Sequence, residues 1–296
     1  VSGSGASAFE QVNGAFFEPA ENNLYWPENG AAISKFGAST FTLLSDHQKF
    51  FNQDWSSTLM NPQFASVTNS DFHLRSQNGR WDGTNFVNDA ETSPAIDLGA
   101  IAASFSNETA PNGGRLNAGA YGNTAEASRS PTNARLVALT YADGGSLSVP
   151  TDRVYWNYVN FPTGATVRIE YSGNSGLSWS TVATNLAVTN GSYTWSNTNT
   201  PSSRFALWRV VYEANTNVVG GTTNVFSLLN GVYRYYVNDA STAGDVYCTD
   251  VGNNANPGLT ADLPKATLDA ILAIYTLRAG DVIYVDTGVY QYSTTI

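Results

Sequence analysis

Two segments of the chain alternate apolar and polar residues with the two-residue period of a β-strand. In the segment TVRIEYS, the side chains of Val167, Ile169 and Tyr171 would share one face of a sheet, opposite Arg168 and Glu170. The segment FALWRVVYE repeats the alternation, with Trp208, Val210 and Tyr212 on one face. Both segments are therefore predicted to be strands that are buried on one side.

Short turn segments such as SGNSG and TNG separate these strands, and several more short strands fit between them. Strands at this spacing between 132 and 215 predict a β-sandwich. Residues 1–131 differ, because short apolar runs are interrupted by loops rich in Asn, Asp, Gly and Pro. We place a boundary at Pro131, where the Gly/Asn-rich stretch ends.

Only one long segment, PKATLDAILAIYTLRAGD, has the period of an α-helix. Its apolar stripe at i, i+3, i+4 and i+7 consists of Leu268, Ile271, Leu272 and Tyr275. Pro264 suits the first helical turn and Gly280 suits the C-terminal end. A helix near 264–278 is predicted, and the segment VIYVD after it is predicted to be a strand.

Composition supports an all-β fold. The 296 residues are 42% hydrophobic and 12% aromatic but only 13% charged, whereas globular chains average about 25% charged residues. The net charge is −10 and the isoelectric point is about 4.5. Nucleic acid is excluded as a partner, because binding it requires a basic surface that displaces counterions.

The single cysteine, Cys248, excludes an intrachain disulfide and a zinc site built from cysteines. We expect its thiol to act as a small buried hydrophobic group. No apolar run approaches the ~18 residues of a transmembrane helix. The chain starts at Val1 without the charged and apolar regions of a signal peptide, so we expect a processed chain or a piece of a longer one.

Three segments resemble known families. The stretch from YYVNDASTAGDVYCTD to AGDVIYVDTGVYQ resembles the N-terminal start of right-handed parallel β-helix proteins of the pectate-lyase-like kind, with its capping helix. The stretch from NPQFASVTNSDFHLRSQNGRWDG to RLNAGAYGNTAEAS resembles the C-terminal end of such a β-helix in large bacterial surface proteins. The stretch from VRIEYSGNSG to FALWRVV is similar to an immunoglobulin-like module.

These resemblances imply three parts. Residues 1–131 would be the last coils and exit segment of one β-helix, 132–215 an immunoglobulin-like sandwich, and 216–296 a linker followed by the start of another β-helix. The open end of a solenoid exposes unpaired backbone groups and apolar surface. We therefore expect each end to continue, either within a longer chain or by head-to-tail stacking of copies into a filament.

Assembly would involve the apolar residues near both ends of the chain. The C-terminal candidates are Val282, Ile283, Tyr284, Val285, Val289, Tyr290 and Tyr292. The N-terminal candidates are Phe9, Val12, Phe16 and Phe17. Backbone pairing between coils would provide the affinity, as in strand addition.

Catalytic residues are harder to identify. Enzymes of the β-helix class are often polysaccharide lyases or glycosidases, but their sites lie on middle coils, for which this chain has no counterpart. Asp71, His73 and Arg75 would share one strand face, where a surface role is favoured over acid–base chemistry. Asp97 is expected to close a turn, and His47 stands alone. No Ser-His-Asp order or nucleotide fingerprint is found, so we assign no catalytic residue.

Two binding sites are considered. Asp239, Asp245 and Asp250 lie in an oxygen-rich loop that suits either calcium or a set of hydrogen-bonded turns. No other cofactor is expected. A sugar could stack on exposed tryptophans. The candidates for that role are Trp81, Trp156 and Trp195, whereas Trp179 and Trp208 are expected to fill the sandwich core.

The sequence therefore predicts an extracellular or cell-surface structural protein with an adhesive or array-forming role. Its partners would be further copies of itself or adjacent segments of a longer chain, with polysaccharide as a further partner. The alternatives are a partial polysaccharide lyase or glycoside hydrolase of the β-helix class, or a carbohydrate-binding module.

Overall fold

The fold was examined in a computed structural model, which describes residues 6–11, 21–37, 39–147, 151–275, 277 and 281–290; the side chains of residues 9–11 are not described. Twenty β-strands and two α-helices are present in these residues. The prediction of a mainly β fold is therefore confirmed.

The N-terminal part contains nine strands and one helix. Their bounds are β1 Ser7–Gln11, β2 Leu24–Tyr25, β3 Ala32–Phe36, β4 Ser39–Phe41, α1 Leu44–Phe51, β5 Thr58–Leu59, β6 Phe64–Ser66, β7 Asp71–Leu74, β8 Arg80–Trp81 and β9 Phe86–Val87. Strand β1 pairs in parallel with β3, and β2 pairs in parallel with β5. The other edge of β3 pairs with β4 in the antiparallel direction. The chain thus returns twice to pair in parallel with an earlier strand.

Helix α1 was not predicted, because we assigned this part of the chain to irregular β-structure. Its sequence, LSDHQKFF, is only eight residues long, and its N-cap residue Leu43 makes no capping side-chain bond. The helix ends at Asn52, whose φ of 52° is in the left-handed region that asparagine tolerates. Residues Leu44 to Gln48 are buried against the rest of the structure. Tertiary packing, rather than local propensity, therefore stabilises this helix.

The central part contains β10 to β18. Their bounds are β10 Arg135–Ala138, β11 Ser146–Leu147, β12 Thr151–Val159, β13 Thr166–Ser172, β14 Ser180–Ala187, β15 Ser192–Ser196, β16 Ser203–Tyr212, β17 Val219–Gly221 and β18 Phe226–Leu228. One sheet has the order β10-β12-β15. A second has the order β11-β18-β16-β13-β14, with β17 also paired to β16. One hydrophobic cluster takes its side chains from both sheets.

The predicted alternation is present in this part. Val167, Ile169, Tyr171, Trp208 and Val210 all belong to the shared core. The predicted linker, by contrast, is wrong over residues 219–228, because β17 and β18 extend the second sheet there. Its Thr/Asn/Gly-rich sequence carries little alternation, so long-range pairing decided its structure.

The C-terminal part contains strand β19, Arg234–Val237, helix α2, Leu268–Ile274, and strand β20, Val282–Val285. Strands β19 and β20 pair in parallel, with the loop and α2 between them in sequence. The core here contains Tyr235, Val237, Ile271 and Tyr275.

Helix α2 is shorter than predicted. Thr267 caps it, accepting a hydrogen bond from the amide of Ala270 at 3.2 Å, so Pro264 lies ahead of the helix. Two members of the predicted stripe, Ile271 and Tyr275, are buried, whereas Leu272 is 43% exposed. Gly280 lies outside the described residues.

Candidate functional site

A cleft of about 1040 Å³ lies between the β2 region and the β6–β7 hairpin. Its apolar side includes Leu24, Phe64 and Leu74, which also pack into a local hydrophobic cluster. Two aromatic side chains of the lining remain open to solvent, since Trp26 is 37% and Phe72 is 40% exposed. The cleft therefore offers aromatic surface above an apolar floor.

Charged and amide groups complete the lining of this cleft. They are Glu28, Glu91, Arg75, Asn22, Asn23, Asn61 and Gln63. The indole Nε1 of Trp26 donates to Glu28 Oε1 at 2.9 Å, which fixes the ring beside a carboxylate. Phe72 packs edge-on against Phe64 with 5.4 Å between ring centroids. Aromatic faces beside carboxylate, amide and guanidinium groups suit a neutral or charged sugar chain.

Sequence reasoning did not identify Trp26 or Phe72. Trp26 follows the two-residue strand β2 and Phe72 lies in β7, and nothing in the sequence around either residue marks it as exposed. The cleft is formed by segments separated by about 40 residues, so only the tertiary structure could reveal it.

His47 contacts two polar side chains that the sequence did not place beside it. Its ring Nδ1 lies 2.8 Å from Ser34 Oγ, and its Nε2 lies 3.1 Å from Asp54 Oδ2. This is the residue set of a hydrolase triad. All three side chains are fully buried, however, so a substrate has no access to the serine oxygen. The arrangement therefore connects β3, α1 and the following loop and does not form an active site.

Asp54 is the centre of this buried network. Tyr25 donates to it at 2.6 Å, and Asn23 and Ser57 also donate to it. Burial by itself raises the pKa of Asp54. The hydrogen bonds from His47, Ser57, Tyr25 and Asn23 lower the pKa by more than burial raises it, so that the net shift is downward. Burial and the nearby Asp54 charge raise the pKa of Tyr25. Asp54 is therefore held as a carboxylate inside the N-terminal part.

The predicted neighbours Asp71 and His73 are in contact, with 2.7 Å between Asp71 Oδ1 and His73 Nδ1. The other side of the imidazole faces Glu126 at 3.5 Å, and the ring stacks on Tyr121 with 3.6 Å between centroids. Arg75 lies beyond the end of β7 and donates to the carbonyl of Ala65 at 3.5 Å. His73 thus fastens the β6–β7 hairpin to the loop at 121–126.

Asp97 is buried and has a φ of 61°, which agrees with the expected turn. Its carboxylate accepts from Ser130 Oγ at 2.6 Å, and its backbone carbonyl accepts from Asn157 Nδ2 at 2.9 Å. Burial raises the pKa of Asp97 to about 6, against the lowering effect of Ser130 and Arg135. These contacts link Asp97 to Ser130 and to β12 of the central part.

The three aspartates of the predicted calcium loop mainly bind groups of their own neighbourhood. Asp245 accepts from Asn238 Nδ2 at 2.6 Å, and Asp250 accepts from the amide of Val251 at 2.7 Å. Asp239 accepts from the amides of Ser241 and Val289. Within the described ranges, no group of three or more His, Cys, Asp or Glu side chains is arranged to hold a metal ion. Calcium binding stays an untested prediction.

Asp286 was missed by sequence reasoning, although it organises this same loop. Its carboxylate accepts the amides of Val246, Tyr247 and Cys248 at 2.7, 2.7 and 2.6 Å. Burial opposes ionisation, but these bonds and that of Thr287 hold the pKa of Asp286 at about 2. Cys248 is buried as expected, and burial beside Asp286 raises its pKa to about 12.

The tryptophans differ from the prediction in their exposure. Trp156 and Trp195 are 2% and 1% exposed and belong to the hydrophobic core of the central part, so the premise that they are open to a sugar is wrong. They lie on strands whose inward face could not be distinguished from sequence. Trp208 fills the core as expected, but Trp179 is only half-buried, and the guanidinium of Arg209 lies 4.0 Å from its ring centroid. Trp81 is half-buried and packs edge-on against Phe86.

The predicted assembly residues are described only in part. Val282 to Val285 form β20, and Val282 and Val289 are exposed. Tyr290 packs against the C-terminal core and donates to the carbonyl of Asp286 at 2.9 Å. Phe9 lies in β1, paired with Ser34, and its side chain is not described. The other four, Val12, Phe16, Phe17 and Tyr292, lie outside the described residues.

Neither of the two helices in the described part of the chain is long and apolar enough to cross a membrane.

Comparison with known proteins gives one match. Residues 46–99 match the model of a family described as disaggregatase related. No curated protein and no solved structure matches the chain. The matched segment runs from α1 through Asp54 and one wall of the cleft to Asp97. The buried network and the cleft therefore both involve residues of the segment that is similar to disaggregatase-related proteins.

Proposed function

We propose that this chain is a structural module of an extracellular or cell-surface protein, and that further β-helix coils extend it at both terminal parts. The observation that carries the proposal is the pair of parallel ladders, β1–β3 and β19–β20. Parallel strands that return after a long excursion are what a β-helix requires. The disaggregatase-related match is compatible with a surface location.

Each ladder is covered on one side and open on the other, as far as the described residues extend. Strand β3 carries β4 on its second edge, whereas β1 has one neighbour. Strand β19 is bridged by Lys265 on its second edge, whereas β20 has one neighbour. An open parallel edge presents backbone donors and acceptors to an incoming strand. The open edges of β1 and β20 are therefore the proposed positions of the next coils.

The incoming coils would come from a longer chain or from another copy. In a parallel ladder, successive amides of one strand point to opposite edges of that strand, which shows where each amide of β20 points. The amides of Val282 and Asp286 donate to carbonyls next to and within β19, at 2.9 and 3.0 Å. The amides of Ile283 and Val285 therefore point to the open edge, where they are available to an incoming strand.

A proline at Ile283 tests this proposal, because it removes an amide of the open edge and keeps the β19 hydrogen bonds. Ile283→Ala is the matched control, since it removes the same side chain and keeps the amide. We expect purified chains to associate in light scattering and electron microscopy, and Ile283→Pro to associate less than Ile283→Ala. If wild type remains a monomer at high concentration, association between copies is refuted. The alternative, that the next coils come from a longer chain, is tested by hydrogen exchange of a longer natural chain that contains these residues. It is refuted if the amides of Ile283 and Val285 exchange as fast in the longer chain as in this one.

A second candidate function is binding of a polysaccharide in the cleft, and the exposure of Trp26 and Phe72 favours it. Stacking on a single aromatic platform contributes roughly 1 kcal/mol beyond the buried area. We expect Trp26→Ala to weaken binding at least fivefold in titrations against neutral and acidic polysaccharides. Trp179→Ala, which removes a half-buried tryptophan of the central part that does not line the cleft, should leave binding unchanged. Equal binding by both variants would refute a role for the cleft.

A further inference from the structure

A groove of about 470 Å³, separate from the cleft beside Trp26, lies where the start of β16 meets β19. Its floor includes Leu229 and Leu259, which are both 4% exposed. Arg204 of β16 and Arg234 of β19 also line it. None of the described residues of the lining is acidic, although the chain carries a net charge of −10. The groove is therefore a local positive region on an acidic protein.

Both guanidinium groups keep donors that the protein does not use. Arg204 Nη2 donates to the carbonyl of Leu259 at 2.8 Å, and Arg234 Nε donates to the hydroxyl of Tyr284 at 3.2 Å. Both arginines are exposed, and within the described part of the chain neither forms an ion pair with a carboxylate. A guanidinium group has five N–H donors. Each arginine is therefore held in place by one bond and can still bind an anion.

Two carboxylates lie near the groove without lining it. Asp281 Oδ1 accepts the amide of Tyr233 at 2.7 Å. Asp262 is an electrostatic neighbour of Arg204, but its side chain is exposed and forms no ion pair with that arginine. Water screens the interaction between exposed charges that are not in contact. These two acids therefore leave the positive charge of the groove available to a ligand.

Aromatic rings extend the groove along the outer face of β19 and β20. Because Tyr235 points into the core, the alternation of the strand turns Arg234 and Tyr236 outward. The ring of Tyr236 lies 5.4 Å from that of Tyr284 on the paired strand, and Tyr247 stacks on Tyr284 at 4.7 Å. A row of three tyrosines thus begins in the groove, beside the two guanidinium groups.

We propose that this groove binds an acidic saccharide, whose carboxylate or sulfate group lies between Arg204 and Arg234 and whose sugar ring packs on Tyr236. The planar fork of a guanidinium group matches the paired oxygens of such anions. An aromatic ring offers an apolar face for the sugar and, in tyrosine, a hydroxyl group for its polar edge. The site depends neither on the proposed assembly nor on binding in the cleft beside Trp26.

A saccharide suits the groove better than an acidic peptide does. Extended peptides commonly bind by adding a strand to an open sheet edge. In β19 the backbone of Tyr236 is already used, because its amide donates to the carbonyl of Gly258 at 2.9 Å and its carbonyl accepts the amide of Lys265 at 3.0 Å. Recognition in the groove therefore falls to side chains, and these are guanidinium, phenol and hydroxyl groups.

The experiment measures binding of the full chain to four soluble polymers by isothermal titration calorimetry at low ionic strength. Polygalacturonate carries carboxylates, ι-carrageenan carries sulfates, dextran is a neutral saccharide and polyglutamate is an acidic peptide. We expect at least one of the two acidic saccharides to bind more tightly than dextran and polyglutamate. The tighter of the two identifies the anionic group that the groove prefers.

Three variants test the role of the arginines. Arg204→Gln and Arg234→Gln should each weaken binding of the acidic saccharide by about 5- to 10-fold, because each loses a charge-assisted hydrogen bond. Arg153→Gln is the matched control, since it removes one exposed arginine of β12 that does not line the groove. It should weaken binding by less than about twofold, through the change in net charge alone. The same losses should appear in a Trp26→Ala background, where the cleft is impaired.

Four results would overturn the proposal. They are no binding of either acidic saccharide, equal binding of dextran, polyglutamate binding as tight with the same dependence on the arginines, and a loss in Arg153→Gln as large as in the groove variants. Arg204→Gln also removes a bond to the backbone at Leu259. If circular dichroism shows that it does not fold, Arg234→Gln provides the decision, because the bond of Arg234 goes to a side chain.

Discussion

Asp286 organises the loop after β19, and replacing it is the most direct test of how the C-terminal part is held together. The residue follows β20, and its carboxylate accepts the amides of Val246, Tyr247 and Cys248. Asp286→Asn keeps one carbonyl oxygen but removes the charge and one acceptor. Asp286→Ala removes every one of these bonds.

The expected magnitude can be worked out in two ways. A hydrogen bond to a charged group contributes about 1.5–3 kcal/mol, and several bonds to one carboxylate are not additive. The pKa of about 2, compared with 3.8, corresponds to about 2 kcal/mol, which solvent screening reduces. We expect Asp286→Asn to lower the free energy of unfolding by about 1–2 kcal/mol and Asp286→Ala by about 3 kcal/mol.

The sign of the pH dependence follows from the lowered pKa of Asp286. The ionised form is favoured in the folded state, so its contribution is complete above about pH 4 and is lost as the pH falls through about 2. The difference in stability between wild type and Asp286→Asn should therefore shrink across this range. Comparing the two proteins at each pH removes the effect of the other carboxylates.

Urea unfolding and hydrogen exchange measure these changes. The amides of residues 246–248 should exchange up to about 30-fold faster in Asp286→Asn at neutral pH. Asp250→Asn is the matched control in the same loop, because the Asp250 carboxylate accepts the adjacent amide of Val251 and the residue is exposed. The reasoning is refuted if Asp286→Asn is as stable as wild type, or if its deficit is the same at pH 2 and pH 6.

Four further predictions concern other parts of the fold. Thr267→Ala should lower the stability of α2 by about 1 kcal/mol because the N-cap is lost, whereas Thr267→Ser should not, as measured by exchange of its amides. Trp208→Ala should destabilise the central part by about 3–5 kcal/mol, since the ring is fully buried, and a loss below 1 kcal/mol in urea unfolding would contradict this. Gly113→Ala should destabilise the protein by more than about 1 kcal/mol, because φ is 60° and the new Cβ would meet the carboxylate of Asp97; normal thermal stability would be the contrary result. Glu170→Gln should lower the free energy of unfolding by about 1 kcal/mol at neutral pH, because the bonds from Arg168 and Arg209 lower the pKa of Glu170 despite burial. At an acid pH where wild-type Glu170 is protonated, the variant and wild type should be equally stable. An equal deficit of the variant at both pH values would argue against this reasoning.

Local pattern was sufficient for the parts of the fold where one face of an element is buried. The alternation around Ile169 and Trp208 predicted strands correctly, because a strand with one buried face must alternate. The stripe at Ile271 and Tyr275 predicted α2, although the cap at Thr267 moved its start by several residues. Composition alone was enough to predict a mainly β chain.

Features that depend on distant partners could not be read from the sequence. Helix α1 is too short to form alone and receives its cap from Asp143, so no local signal marked it. The inward direction of Trp156 and Trp195 depended on the register of two strands.

The candidate sites also depend on distant partners, unlike the features that residue type and local spacing predict. The sequence by itself determined the strand content, the acidic surface and the central alternation, because each depends on residue type and spacing along the chain. The tertiary structure alone decided that His47 meets Asp54, that Trp26 and Phe72 open into one cleft, and that α1 packs on α2. These contacts join residues from 7 to more than 200 positions apart, and chain spacing carries no information on which distant side chains share a desolvated site.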